Sequence, residues 1–334
     1  MRALLVSRSA IARRILGKIL EDLLIGVVYA KDVREALNIA EVESFDLAVM
    51  DVDEDTPLWR ELVSWAEKRC KGALIIVPPD MDVSSFAVPT CNCFTYLTRP
   101  GTLAASVKEI EEIVRSQVRR IFEVCLDGHR SRQVIDTSDF VPSTDERYVL
   151  IGASTGGPGL IETIARSLPA DYPYPVCVVQ HMPSNFTARF AERLNSVSRL
   201  KVVEAKNGEV LEPGKIIIAK GGYHLNFSRD NGRIVCRLVP NVPRRFFVPS
   251  VDEMFFSALE VMDPKKIVAV VLTGIGDDGA DGMVALKKHG AYTIAESEET
   301  AVVYGMPKEA ALRGGAVKVL PFPEIVRELI RVAS

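Results

Sequence analysis

Short apolar runs alternate with amphipathic stretches along the first 124 residues. Five runs predict strands, and the segments between them predict helices because their apolar positions recur every three or four residues. The runs are ALLVS, GVVYA, FDLAVMDV, ALIIVP and FTYLT. Strands joined by helical crossovers pair in parallel, so we expect a doubly wound, flavodoxin-like α/β domain over residues 1–124.

The apolar periodicity stops between residues 125 and 146, where Asp, Ser, Thr, Pro and charged residues dominate. This composition predicts a linker. Strand signals return after it, and seven apolar runs interleaved with helical patterns predict a second doubly wound α/β domain over residues 147–334. Within it, the alternating stretch GGYHLNFSRDNGRIVCRLV surrounds an Asp-Asn-Gly turn and predicts a β-hairpin outside the parallel sheet.

Composition narrows the classes of partner. The chain has 334 residues, 48% of them hydrophobic, and a formal net charge of −3, which argues against a basic nucleic-acid-binding surface. We expect a cytoplasmic protein that is not embedded in a membrane, because no apolar run approaches a bilayer-spanning length and the N-terminus lacks a cleavage motif.

Cys91 and Cys93 form a C-x-C pair without the second pair that a zinc site needs.

Reactive residue types follow three strand runs of the second domain. Ser154 ends VLIGAS, His181 ends VCVVQH, and Asp277 and Asp278 follow VAVVLTGIG. Functional side chains gather beyond the carboxyl ends of parallel strands, so these residues are candidates for a shared site. A nucleophile, a base and an orienting carboxylate are the groups that acyl transfer requires.

The serine lies in a G-x-S-x-G pattern formed with Gly152 and Gly156, which favours a sharp strand-to-helix turn that exposes its hydroxyl. Thr155 then supplies a backbone N–H at the start of the next helix. Each residue also has a structural interpretation: a turn serine, a packed histidine and helix-capping aspartates. A dinucleotide site is disfavoured by Gln180 and His181 where an acidic residue is expected, and no lysine completes a Walker A loop.

The second domain resembles the catalytic domain of the bacterial chemotaxis protein-glutamate methylesterases. The resemblance covers residues 147–334 and is carried, in family order, by IGASTGGP, VVQHMP, FTARFAERL, GEVLEPGKIIIAKGGYHL, PSVDEMFFSA, VVLTGIGDDGADGM and VYGMPKEA. It implies a nucleophilic Ser154, with His181 as general base and acid and Asp278 as the orienting carboxylate. It also implies that Thr155 and the backbone at Ile275 belong to the active-site loops.

The implied reaction is hydrolysis of γ-glutamyl methyl esters on the cytoplasmic helices of chemoreceptors, with deamidation of receptor glutamines as a second activity. It requires neither a metal nor an organic cofactor. Methylated receptors are the implied partner, and a chemotaxis histidine kinase is a further candidate. His224 and Asp252 also lie in family motifs, where we expect structural roles as hydrogen-bonded loop or cap residues.

The first domain resembles a response-regulator receiver with Asp51 at the phosphoacceptor position. Receivers hold Mg²⁺ with carboxylates at the end of the first strand, but this chain has Ser7 and Arg8 there. We therefore expect a pseudo-receiver in which Arg8 pairs with Asp51 in place of the metal.

Two further positions depart from the receiver pattern. Pro78 and Pro79 stand where a hydroxyl residue follows the fourth strand, and Arg99 replaces the lysine before a proline. The resemblance implies that this domain regulates access to the catalytic site, as a permanent cover or as a module switched by a partner. The alternative for the whole chain is a non-catalytic protein that uses the same fold to dock on receptors or on the kinase.

Overall fold

The computed structural model describes residues 1–53, 57–78, the backbone of 94–98, single helical positions between 111 and 121, and residues 140–182, 184, 186–240 and 247–334. The chain forms two compact units, Met1–Arg132 and Gln133–Ser334. Most of the predicted linker, up to residue 139, lies outside the described residues. Within the described part, no helix has the length and apolar character needed to cross a membrane.

The first unit contains a five-stranded parallel sheet with the strand order β2-β1-β3-β4-β5. This is the flavodoxin-like order, so the predicted fold class is confirmed. Its strands are β1 (Arg2–Val6), β2 (Gly26–Ala30), β3 (Leu47–Asp51), β4 (Gly72–Val77) and β5 (Phe94–Thr98). The helices of this unit whose first and last residues are described are α1 (Ala10–Asp22), α2 (Val33–Val42) and α3 (Pro57–Arg69).

Local chemistry fixes where these helices begin. The Ser9 hydroxyl accepts the Ala12 N–H at the start of α1, and the Asp32 carboxylate accepts the Glu35 N–H at the start of α2. Both satisfy amides that lack an intrahelical partner. Strand β3 is buried along its whole length, as expected for the middle of a doubly wound sheet.

The second unit contains a seven-stranded parallel sheet with the order β14-β13-β12-β6-β7-β9-β8. The seven predicted strands are all present: β6 (Tyr148–Ala153), β7 (Val176–Gln180), β8 (Lys201–Glu204), β9 (Lys215–Ile218), β12 (Ile267–Val271), β13 (Tyr292–Glu296) and β14 (Lys318–Leu320). Its helices are α4 (Gly157–Ser167), α5 (Thr187–Val197), α6 (Val251–Val261), α7 (Ala280–Lys288), α8 (Met306–Leu312) and α9 (Phe322–Arg331), with a 3₁₀ turn at Pro264–Lys266.

The predicted hairpin is confirmed as a separate antiparallel pair, β10 (Tyr223–Asp230) and β11 (Arg233–Pro240). Asn231 and Gly232 connect them with φ angles of 47° and 79°. Positive φ at both central positions is the signature of the tight turn that matches strand twist. Leu225 and Phe227 of β10 are buried in the core that covers one face of the parallel sheet.

The centre of the seven-stranded sheet positions the candidate residues. Strands β12, β6 and β7 are neighbours and are buried throughout. Because they run parallel, their carboxyl ends lie at one edge of the sheet. The segments that follow them carry Ser154, His181 and Asp278.

Candidate active site

Backbone hydrogen bonds join the three strand ends. The Ser154 N–H donates to the Thr273 carbonyl beyond β12 at 2.9 Å, and the His181 N–H donates to the Ala153 carbonyl of β6 at 2.9 Å. Ser154 is 7% exposed, so it is nearly buried yet reachable. The parallel sheet thus brings two of the predicted residues to adjacent strand ends, with the third in the loop after β12.

The turn after Ser154 is held on its carbonyl side. The Ser154 carbonyl accepts the Gly157 N–H at 2.9 Å and the Gln180 Nε2 at 2.8 Å. In a trans peptide the next N–H points away from that carbonyl, so the Thr155 N–H is aimed to the opposite side. Gly156 adopts φ +88°, and a Cβ there would lie 2.7 Å from Val302. The second glycine of the G-x-S-x-G pattern is therefore required by conformation and by space.

His181 is fixed on two sides. Its Nε2 lies 2.7 Å from Asp278 Oδ2, and its ring stacks on Phe247 with centroids 4.0 Å apart and planes 7° from parallel. The other ring nitrogen, Nδ1, is buried and has no hydrogen-bond partner among the described residues. In the same part of the chain no hydrogen bond joins Ser154 Oγ to the ring. Catalytic hydrogen bonds often tighten only when substrate binds.

Asp278 is a carboxylate surrounded by donors. Besides His181, it accepts the Ser250 hydroxyl at 2.8 Å and the N–H groups of Val251 and Asp252 at 2.7 and 3.0 Å. Burial alone raises the pKa of this carboxyl, but His181 and the backbone donors outweigh burial and hold the pKa below its ordinary value. An ionised Asp278 can only accept, so Nε2 of His181 carries the hydrogen and Nδ1 of the neutral ring is an acceptor.

Helices α6 and α7 cap each other across this site. Asp278, two residues before α7, accepts the first N–H groups of α6, while Asp252 in the first turn of α6 accepts the Gly282 N–H of α7 at 2.7 Å. A helix N-terminus has unpaired N–H groups and a positive dipole end, so each carboxylate is stabilised there. His224 also supports this region, because its Nδ1 accepts the Ser250 N–H at 3.2 Å.

Two other predicted positions, Asp277 and Ile275, lie in the loop after β12. Asp277 is exposed and forms an ion pair with Arg313 at 2.6 Å. Ile275 is half-buried and follows Gly274, whose position leaves no room for a side chain because an added Cβ would lie 2.7 Å from the Ser154 Cβ. The loop that carries Ile275 therefore runs directly beside the serine.

Several residues of the site region were not predicted from the sequence, among them Phe247 beside His181 and Ser250 beside Asp278. Gln180 was treated only as a non-acidic residue, yet its carboxamide donates to the carbonyls of Ser154 and His181. Thr273 and Glu296 form a buried network behind the serine turn. One signal was available for Thr273 and Glu296, since each is a polar residue at the end of a strongly apolar strand run.

The first unit holds its candidate phosphoacceptor differently. Asp51 is buried at the end of β3 and accepts the Ser7 hydroxyl at 2.6 Å. The ion pair described for Arg8 is with Asp53 at 3.1 Å, so the Arg8–Asp51 pair stays a prediction. Among the described residues no group of three His, Cys, Asp or Glu side chains is arranged to hold a metal ion. Pro79 and Arg99 lie outside the described residues.

Known proteins match both the second unit and the whole chain. Residues 149–329 match the family described as CheB methylesterase. The chain is 38% identical to protein-glutamate methylesterase/protein-glutamine glutaminase 2 of Carboxydothermus hydrogenoformans, over 99% of both chains, and 35% identical to the protein-glutamate methylesterase/protein-glutamine glutaminase of Archaeoglobus fulgidus, over 99% of this chain and 97% of that one. It is 41% identical to the CheB methylesterase catalytic domain of Thermotoga maritima, whose crystal structure aligns over 57% of this chain and all of that one with a TM-score of 0.54. The chain therefore belongs to the CheB methylesterase family.

Proposed function

We propose that this protein is a serine hydrolase that acts on chemoreceptors in the cytoplasm as a protein-glutamate methylesterase and protein-glutamine glutaminase. The observation that carries the proposal is the 2.7 Å contact between His181 Nε2 and an ionised Asp278, which leaves the opposite, buried ring nitrogen as an acceptor without a hydrogen-bond partner among the described residues. This is the arrangement of a histidine prepared to take a proton from a hydroxyl.

The mechanism assigns one role to each residue. Ser154 Oγ attacks the carbonyl carbon of a γ-glutamyl methyl ester while His181 Nδ1 takes the hydroxyl proton, and Asp278 stabilises the resulting imidazolium through Nε2. The backbone N–H groups of Thr155 and Ile275 hold the negative oxygen of the tetrahedral intermediate. The intermediate collapses to the acyl-enzyme as His181 returns the proton to the departing methanol.

Deacylation repeats these steps with water. His181 takes a proton from water, the hydroxide attacks the γ-glutamyl ester of Ser154, and the serine leaves with the proton, which gives glutamate. A receptor glutamine passes through the same acyl-enzyme with ammonia as the leaving group. The two names carried by the relatives thus describe one acyl-transfer chemistry with two leaving groups.

For the first unit we propose a pseudo-receiver role. The support is chemical: Ser7, a neutral hydroxyl, occupies a position beside Asp51 where phosphorylation would need a carboxylate to bind Mg²⁺. The unit then regulates access to the catalytic site, either as a constant docking element or through binding of a partner. The candidate for that partner is the chemotaxis histidine kinase. In either form Asp51 is not phosphorylated.

The test is methanol release from a methyl-labelled receptor cytoplasmic fragment. We expect the intact chain to release methanol and Ser154→Ala to lose this activity, by about 10⁶-fold if the triad acts as a unit. A folded chain that releases no methanol from the fragment but still binds it would overturn the proposal in favour of a non-catalytic docking protein.

A further inference from the structure

A buried carboxylate lies behind the serine turn, and the mechanism above does not use it. Glu296 ends β13 with no solvent exposure. Its Oε2 accepts the Thr273 N–H at 2.8 Å, and its Oε1 accepts the Thr300 hydroxyl at 2.9 Å. The Thr300 oxygen in turn accepts the Phe322 N–H at the start of α9. Both carboxylate oxygens are thus occupied by donors from segments on either side of β13.

Thr273 connects this carboxylate to the nucleophile. It has no solvent exposure, and its carbonyl accepts the Ser154 N–H at 2.9 Å. Its hydroxyl donates to the Thr155 carbonyl at 2.8 Å, across 118 positions of sequence. One residue therefore holds the backbone on both sides of the Ser154 side chain.

The Thr273 hydroxyl also holds a third segment. It accepts the Val303 N–H at 2.8 Å, while the Val303 carbonyl accepts the Gly274 N–H at 3.0 Å. Next to Val303, Val302 fills the space against Gly156 in the serine turn. The Val303 carbonyl is a second, longer acceptor for this hydroxyl at 3.3 Å, so the 2.8 Å contact with the Thr155 carbonyl is the shorter of the two. The same oxygen thus bonds a donor and an acceptor from different segments.

We propose that Glu296 and Thr273 are positioning residues for catalysis: Glu296 fixes the Thr273 backbone, and Thr273 fixes the Ser154–Thr155 turn so that the Thr155 N–H stays aimed at the oxyanion. This inference rests on the proposed function, whose oxyanion it serves. Neither residue touches substrate. A donor displaced by a fraction of an ångström loses much of its stabilisation of a developing charge, so a fixed backbone has direct kinetic value.

Four variants of the full-length chain test the proposal. Thr273→Val keeps the shape and removes the hydroxyl, Glu296→Leu removes both acceptors, and Glu296→Gln keeps an acceptor for the Thr273 N–H. The matched control is Thr293→Val, because Thr293 is an equally buried threonine at the other end of β13 whose hydroxyl donates to Gly315 and accepts from Val317.

Two rates are measured per folded molecule: kcat and KM for methanol release from the methylated receptor fragment, and the rate at which a fluorophosphonate probe labels Ser154. We expect Thr273→Val and Glu296→Leu to lower kcat and labelling by about 10- to 100-fold at nearly unchanged KM, as for a weakened oxyanion donor. Glu296→Gln is expected to restore most of the lost rate. Thr293→Val is expected to lower stability without lowering either rate.

Equal rates in Thr273→Val and Thr293→Val would overturn the proposal, as would failure of both Thr273→Val and Glu296→Leu to fold, because the network would then serve stability alone. The two readouts also separate this inference from the proposed function. A wild-type chain that labels at Ser154 but releases no methanol contradicts the methylesterase proposal, while the labelling rates of the variants still decide the positioning roles.

Discussion

Each unit has a buried aspartate at the carboxyl-end edge of its parallel sheet, Asp51 as the last residue of β3 and Asp278 in the loop after β12, and the two are surrounded differently. Asp51 of the first unit receives the Ser7 hydroxyl, and the nearby Arg8 is paired with Asp53. Asp278 of the second unit receives two backbone N–H groups, a hydroxyl and an imidazole. The sheet edge thus supplies a location, while the neighbouring donors determine the chemistry.

The two sites also differ in how well their neighbouring groups can stabilise a charge that forms during a reaction. Around Asp278 the donors belong to the backbone of α6 and are fixed before any reaction begins. Such preorganised dipoles stabilise an imidazolium without having to reorient. Around Asp51 a phosphoryl group would add charge, and Ser7 provides no negative ligand for the cation that would balance it. We expect substitution of Asp278 to lower catalysis and substitution of Asp51 to leave it unchanged.

The largest expected effect is on catalysis at the second site. Asp278→Asn removes the charge that stabilises the imidazolium of His181, and we expect kcat for methanol release to fall by about 10⁴-fold. The matched control is Asp277→Asn, because Asp277 is exposed and paired with Arg313. A comparable loss in both variants would show that Asp278 has no special relation to His181.

A second effect separates the buried carboxylate Glu296 from ordinary glutamates. Burial raises its pKa to about 7, an increase only partly opposed by the Thr273 N–H and the Thr300 hydroxyl, and no cationic side chain of the described residues pairs with it. In the unfolded chain this carboxyl has its ordinary pKa of 4.5. As the pH rises, the unfolded chain therefore loses this proton at a lower pH than the folded chain does. The folded state is therefore penalised progressively above pH 4.5 and fully above about pH 7.

Glu296→Gln should remove that penalty. We expect the variant to be more stable than the wild type at pH 8 by about 3 kcal/mol, with the difference vanishing near pH 4. Hydrogen exchange of β12 and β13 peptides measures the second unit specifically. A stability difference that is the same at both pH values would contradict the raised pKa.

A smaller effect is expected in the first unit. Ser7→Ala removes a buried hydrogen bond to a carboxylate and should lower the free energy of unfolding by about 1.5–3 kcal/mol. Both tryptophans of the chain, Trp59 and Trp65, lie in α3, so their fluorescence reports denaturation of this unit alone. Ser44→Ala is the control, because Ser44 is exposed, and its substitution should change stability by less than about 0.5 kcal/mol.

We expect a phosphodonor to have no effect on methanol release. Methanol release by the wild type and by Asp51→Asn should be the same with and without a small phosphodonor and Mg²⁺, because Ser7 cannot serve as the missing carboxylate ligand. Stimulation of the wild type that disappears in Asp51→Asn would break the comparison and show that the first unit is a working receiver.

The strands and turns of this fold were predictable because they depend on local pattern. Apolar runs gave the strands of both sheets, and the Asp-Asn-Gly sequence gave the hairpin, because positive φ at Asn231 and Gly232 is a local requirement. The turn around Ser154 was predictable for the same reason, since Gly156 needs a left-handed conformation.

The supporting hydrogen bonds were not predictable, because they depend on strand order and helix placement. The Thr273 hydroxyl meets the Thr155 carbonyl only because β12 lies beside β6, although the strands are separated by more than a hundred residues. The Ser250 hydroxyl caps α6 by accepting the Glu253 N–H, but its second bond, to Asp278, depends on where α6 begins relative to the β12 loop. The ion pair between Arg8 and Asp53 was equally dependent on the course of the chain after β3.

The reciprocal capping of α6 and α7 has an evolutionary consequence. Because Asp278 ties down the first turn of α6, a descendant that abandoned ester hydrolysis would still be under selection to keep this aspartate for folding. Ser154 has no comparable structural duty for its hydroxyl among the described residues. We therefore expect loss of the serine to precede loss of the aspartate in a lineage that has turned from enzyme to binding protein, so that a retained aspartate would say little about activity.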